Sequence, residues 1–214
     1  MYKCIILDID GTIIKSEHVV AIALRKYMKE RFNQEISSEE SASLVGLSME
    51  YVFDFFGITE NLEEESKIIN RMINDMSDLI IVFDGMEETI KALHKAGFFL
   101  GLVSSKTMDE FEQDFPRFGL SNYFSEKTLA NETINHKPNP DPLLKFLEKS
   151  GFKPEEVLYI GDTVYDYKAA IAAGIDFGLA IWGGADTSEI IYPTYRLAHP
   201  KDILTLVKLA STPI

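Results

Sequence analysis

Asp8 and Asp10 stand at the end of the apolar run Cys4-Ile5-Ile6-Leu7 and are followed at once by Gly11 and Thr12. In a strand, side chains alternate with period two, so both carboxylates can project toward one site while Gly11 lets the chain turn away sharply. Reactive groups recur in the same setting further along. The run GFFLGLV ends in Ser104-Ser105-Lys106, and VLYI ends in Gly161-Asp162 with Asp166 soon after. Between them lies His136-Lys137-Pro138-Asn139-Pro140, a cation in a stretch too proline-rich for a helix interior. Clustered carboxylates repel one another unless a hard divalent cation sits among them, and Mg²⁺ is the natural choice for carboxylate, carbonyl and water ligands. Metal and lysine together make an anion site. A phosphoryl group meets that demand, because its oxygens can be shared among Mg²⁺, Lys137 and the Ser104 hydroxyl while a carboxylate attacks in line.

These groups need elements that bring them to one place, and in an open parallel sheet that place lies beyond the carboxyl ends of the strands. Residues 2–7 read as a strand buried on both faces. From Ser16 to about Asp84 the pattern is helical, with Val20, Leu24, Tyr27 and Arg31 at helical spacing, a capping box at Ser37 and Glu40, and Gly57 as a helix stop. The acidic run Glu63-Glu64-Glu65 reads as a solvated helix face. After Gly85 strands and helices alternate: helix 87–96, strand 98–103, and a helix opened by Thr107 and Glu110. Further strands are expected at 124–129, 157–160, 177–181 and 195–198, and further helices at 142–150, 165–173 and 201–209. The expected fold class is α/β, a Rossmann-like parallel sheet core interrupted by a helical insert.

The 214 residues suffice for one full core with an insertion or for two small domains, and 46% hydrophobic with 26% charged residues is the balance of a soluble globular protein. The apolar runs are far shorter than the ~20 residues of a membrane-spanning helix. The N-terminus enters a strand-like segment with no signal peptide, so a cytoplasmic chain is expected. Against 34 acidic residues there are 21 Lys and Arg, a net charge of −13 that repels nucleic acid and anionic membranes. The single cysteine, Cys4, suits a reducing compartment.

DIDGT, the serine after a hydrophobic strand, Lys137 in HKPNPDP and GDTVYD occur in the order of the four motifs of the haloacid dehalogenase superfamily, which the chain resembles over nearly its whole length. The resemblance implies that Asp8 is a nucleophile forming an aspartyl-phosphate and Asp10 the general acid and base. It also implies that Ser104 and Lys137 bind the phosphoryl group; Ser105, beside Ser104, and Gly11 and Thr12 of the turn are further candidate phosphate or substrate contacts. Mg²⁺ would be held by Asp8, the Asp10 backbone carbonyl and Asp162, with Asp166 supporting the metal or its waters. The insert falls where the phosphoglycolate phosphatase and β-phosphoglucomutase-like branch carries a helical cap. The implied domains are a catalytic core of residues 1–15 and 85–214 and a specificity cap of residues 16–84.

The expected activity is that of a phosphatase on a small phosphorylated metabolite, acting as a monomer or homodimer. A phosphosugar mutase, a pyrophosphatase, a nucleotidase and a non-catalytic binding protein are the alternatives. In Gly46-Leu47-Ser48-Met49-Glu50, Met49 stands where the related mutases typically offer an arginine, and a thioether binds no anion. Lys15, Arg25, Lys26, Arg31, Lys67 and Arg71 are the remaining cations that could reach a substrate. Lys106 has even standing between a site contact and a solvated residue, His136 reads as a local hydrogen-bonding residue, and Trp182 as an aromatic at the core edge.

Overall fold

The computed structural model describes residues 2–210; Met1 and residues 211–214, at the outer ends of the expected core segments, lie outside the described residues. The first strand, β1 (Cys4–Leu7), is buried along its whole length, as an apolar run covered on both faces must be. A two-residue strand β2 (Ile14–Lys15) follows the Asp8–Thr12 turn, and then four helices: α1 (Glu17–Phe32), α2 (Ser38–Ser43), α3 (Met49–Phe55) and α4 (Leu62–Asn74). The chain returns through β3 (Ile81–Val82), which pairs antiparallel with β2, Ile14 opposite Val82 and Lys15 opposite Ile81. Thus the two ends of the helical segment are zipped together by a short ribbon. Sequence periodicity shows nothing of it, since two residues carry no pattern.

The rest alternates: α5 (Met86–Lys95), β4 (Phe99–Val103), α6 (Met108–Asp114), β5 (Glu126–Thr128), α7 (Asp141–Ser150), β6 (Val157–Gly161), α8 (Val164–Ala173), β7 (Asp176–Ala180), β8 (Tyr195–Leu197) and α9 (Asp202–Ala210). Six strands form one parallel sheet in the order β5-β4-β1-β6-β7-β8. The fold is therefore α/β with an inserted helical cap. Its ends differ from the expected bounds by a residue or two, most at residues 124–129, where only Glu126–Thr128 pair as a strand.

β1 lies between β4 and β6, with Leu7 opposite Leu102 and Ile160. This register brings Asp8, Ser104 and Asp162 to one rim of the sheet. Gly101 in β4 leaves room for Phe146 of α7, whose ring would lie 2.1 Å from a Cβ there. Thr107 caps α6 with a full capping box, whereas at α2 only Ser37 accepts from the Glu40 amide and the reciprocal bond is absent. Gly57, at a φ of 69°, takes the left-handed turn after α3.

The reading of Glu63–Glu65 as a solvated face is corrected at Glu65. Its carboxylate is buried and accepts from Tyr27 Oη at 2.9 Å and from Arg31 Nη2 at 2.6 Å. Glu65 faces α1 because α4 is amphipathic and must present one side to that helix. A run of like residues conceals which of them falls on the buried side.

Candidate active site

Asp8, one residue past β1, is 3% exposed, and its Oδ1 accepts from Lys137 Nζ at 2.8 Å. Lys137 comes from the loop before α7, is equally buried, and also donates to Asp166 Oδ1 at 2.7 Å. Asp166 sits in the first turn of α8, fully buried, and all its oxygens are engaged. Tyr159 Oη donates to Oδ1 at 2.6 Å, while the Thr163 amide and Oγ1 donate to Oδ2 at 3.1 and 2.6 Å. Burial alone would raise the Asp166 pKa, but the Lys137 charge and these hydrogen bonds bring it below the ordinary carboxylate value. Lys137 is held above its usual range, because the Asp166 and Asp8 charges outweigh its desolvation.

Asp162 contrasts with its neighbour. It is 2% exposed, yet among the described residues the one donor to it is Thr12 Oγ1, at 3.4 Å from Oδ1. Burial, followed by the Asp166 and Asp8 charges, pushes its pKa well above the ordinary value. Asp8 is pushed up to about 7, by burial first, against the Lys137 charge and with Asp166 and Asp10 adding to the rise. The carboxylates of Asp8, Asp162 and Asp166 bring oxygens within 4.8 Å of one another. The donor set fits a hard divalent cation: two under-compensated buried carboxylates, and the Asp10 carbonyl, which accepts no backbone hydrogen bond among the described residues. Glycines wall Asp162 in, since a Cβ at Gly11 would lie 2.2 Å from its Oδ2 and one at Gly183 would lie 2.5 Å from its Cβ.

Asp10 turns the other way, toward a cleft that Asp8, Ser104, Ser105 and Lys106 also line. Its Oδ1 accepts from Ser16 Oγ at 2.5 Å and lies 3.4 Å from Lys106 Nζ. Ser104, at the end of β4, is 4% exposed, and its Oγ accepts from the Lys106 amide at 3.2 Å. Ser105 Oγ donates instead to the Gly46 carbonyl of the insert at 2.9 Å. Gly11 and Thr12 do not line the cleft: the Gly11 amide donates to Ile14 O, the Thr12 side chain turns to Asp162, and the Thr12 carbonyl accepts from Trp182 Nε1 at 2.9 Å. Trp182 is thereby a brace for the DIDGT turn rather than a cleft residue.

The insert supplies the opposite wall, through Val20, Leu47, Met49, Asn70, Ile73 and Asn74. It meets the core again where Tyr165 Oη donates to Ser43 O at 3.3 Å and where His136 Nε2 lies 2.9 Å from Glu50 Oε2. None of the cations Lys15, Arg25, Lys26, Arg31, Lys67 and Arg71 lines the cleft. Lys106 does, and it is tied to Asp114 Oδ2 at 3.1 Å.

Sequence reasoning passed over Tyr159, Ser16 and Asp114. Tyr159 had a signal, the one hydroxyl in the otherwise apolar run VLYI. Asp114 had none, since its tie to Lys106 runs back over the length of α6.

A family model described as haloacid dehalogenase-like hydrolase matches residues 5–180. The chain is similar to a phosphoglycolate phosphatase from Aquifex aeolicus, 29% identical over 208 residues, covering 96% of each chain. It is also similar to a pyrophosphatase PpaX from Oceanobacillus iheyensis, 25% identical over 207 residues, again covering 96% of each. Among solved structures, a β-phosphoglucomutase from Clostridium difficile superposes with a TM-score of 0.83 at 18% identity, over 98% of this chain and 96% of that one, a likeness of fold alone.

Proposed function

The chain belongs to the haloacid dehalogenase-like hydrolases, and from that premise we propose that it is a Mg²⁺-dependent phosphatase, hydrolysing a phosphate monoester of a small metabolite through an aspartyl-phosphate on Asp8. The observation that carries this reading is the buried contact of Asp8 Oδ1 with Lys137 Nζ at 2.8 Å, set at the bottom of a cleft that Asp10 and Ser104 also line. Lys137 holds Oδ1, which leaves Oδ2 of Asp8 to attack phosphorus. The P–O bond to the alcohol breaks, and the leaving oxygen takes a proton from Asp10. Ser16 and Lys106 both approach Oδ1 of Asp10, so Oδ2 is the oxygen that carries this proton. Asp10 then removes a proton from water, whose oxygen attacks phosphorus and releases phosphate and the Asp8 carboxylate.

Ser104 and Lys137 bind the transferring oxygens, and the Lys137 ammonium, already fixed by Asp166, stabilises charge without reorganising. Mg²⁺, held by Asp8, the Asp10 carbonyl and Asp162, supplies further neutralisation of the phosphoryl oxygens when bound. Asp166 acts on Lys137 and on the metal's surroundings. Ser105 fastens the insert at Gly46, while Gly11 and Thr12 shape the Asp162 pocket. The insert, residues 16–84, serves as a cap joined to the core of 1–15 and 85–214 through the β2–β3 ribbon. No helix among the described residues is long and apolar enough to cross a membrane, and we place the protein in the cytoplasm, where its buried unpaired Cys4 stays reduced.

The test is phosphate release from an aryl phosphate with Mg²⁺, with chelator, and in Asp8→Asn. Release that needs both the metal and Asp8, and that beryllium fluoride blocks, supports the reading. Turnover that persists in Asp8→Asn would overturn it.

A further inference from the structure

Resting on the phosphatase reading, we infer that the substrate is the monophosphate of an uncharged, hydroxyl-bearing alcohol, and that esters whose leaving group carries a second anion are discriminated against. An anionic leaving group needs a cation that is not already neutralised. Among the described residues lining the cleft the only cation besides the buried Lys137 beneath it is Lys106, and its Nζ lies 3.1 Å from Asp114 Oδ2 and 3.4 Å from Asp10 Oδ1. Glu110, one turn before Asp114 in α6, adds a third carboxylate to the same wall. None of the insert's cations Arg25, Lys26, Arg31, Lys67 and Arg71 lines the cleft, and three of them have partners elsewhere. Arg25 donates to Ser38 Oγ, Arg31 to Glu65 and Lys67 to Glu63. A second phosphate or a carboxylate placed here would face an excess of negative charge in a partly enclosed site, where Coulomb terms are strong.

What the cleft does offer suits a neutral group. Asn70, Asn74 and Gln113 line it, and each amide has donor and acceptor capacity beyond its one bond, Asn70 to Glu110 and Asn74 to Gln113. Beside Asn70 and Asn74 on the insert's wall are Val20, Leu47, Met49 and Ile73. Amides interspersed with apolar groups match an alcohol that presents both hydroxyls and C–H surface.

The measurement is kcat/KM with Mg²⁺ for glycerol phosphate and hexose 6-phosphates against pyrophosphate and phosphoglycolate, with an aryl phosphate as common reference. The expected preference for the neutral-alcohol esters is roughly tenfold or more, the ratio that one lost charge contact produces. Asp114→Asn frees Lys106 and is expected to raise pyrophosphate turnover about fivefold relative to the aryl ester, and Lys106→Met added to it should cancel the gain. Should the variant not fold, the wild-type ratio decides alone. Pyrophosphate or phosphoglycolate turned over as well as the neutral esters would overturn the inference and leave the phosphatase reading intact. An unchanged ratio in folded Asp114→Asn would also overturn it. No release from any ester, the aryl one included, would overturn the phosphatase reading and this inference together.

Discussion

At the strand ends, Asp8, Lys137, Tyr159, Thr163 and Asp166 form one buried chain of hydrogen bonds in which every donor comes from a different turn or strand. In the helical insert the charged groups pair mostly among themselves at the surface, as Lys67 with Glu63 and Lys29 with Glu35, whereas the Glu65 carboxylate pairs with Arg31 while buried. In the proposed function this difference separates reaction from recognition. Parallel strands set their ends by register, so charges placed there are oriented before any ligand arrives. The insert joins the core through a two-residue ribbon and a few contacts such as Ser105 with Gly46, and that geometry suits an element that changes position.

The contrast can be broken most decisively at Asp8. Asp8→Asn is expected to lower kcat on an aryl phosphate by roughly three orders of magnitude or more while circular dichroism stays that of the wild type. Next comes Lys137→Met, which leaves two buried carboxylates without their cation. It should lower kcat by about a hundredfold or more, and denaturant titration should show a loss of about 3–5 kcal/mol.

Metal removal tests the same floor through pH. Asp8 and Glu17, each pushed up to about 7 chiefly by burial, and Asp162, pushed well above the ordinary carboxylate value, hold protons in the folded state that the unfolded chain has released above about pH 4. The native state then binds more protons than the unfolded one. Metal-free stability should therefore fall as pH rises from about 4 to 7, and Mg²⁺ should raise Tm more at about pH 8 than at about pH 5. At a hundred times Kd the gain would be about 2.7 kcal/mol. An equal gain at both values would count against metal binding at these carboxylates.

The smallest effect sharpens the comparison from the other side. Tyr27→Phe removes the hydroxyl bonded to Glu65 inside the insert, and urea unfolding should show a loss of about 1 kcal/mol. Its kcat on the aryl ester should stay within about twofold, because the cost falls on the insert's packing and not on the strand ends.

Much of the core was legible because apolar runs of four to seven residues bounded by glycine and aspartate are too short for helices and read as buried strands, and chemistry sits where they stop. Asp8, Asp10, Ser104, Lys137 and Asp162 could be named from that rule before any coordinates. Their division of labour could not. Asp162 and Asp166 are the same residue type four positions apart, yet one is starved of donors and the other saturated with them. That split depends on Tyr159 reaching across from β6 and Lys137 from the loop before α7.

The sequence by itself determined the alternation of strands and helices, the helical interruption and the types of group available at the strand ends, because periodicity and chain turns are local properties. Tertiary structure alone decided which charges meet: Glu65 with Tyr27 and Arg31, Lys106 with Asp10 and Asp114, and Thr12 with Asp162. Ion pairs and pKa shifts depend on distances of a few ångströms between residues far apart in the chain, and on burial, and both exist only once the helices have packed on the sheet.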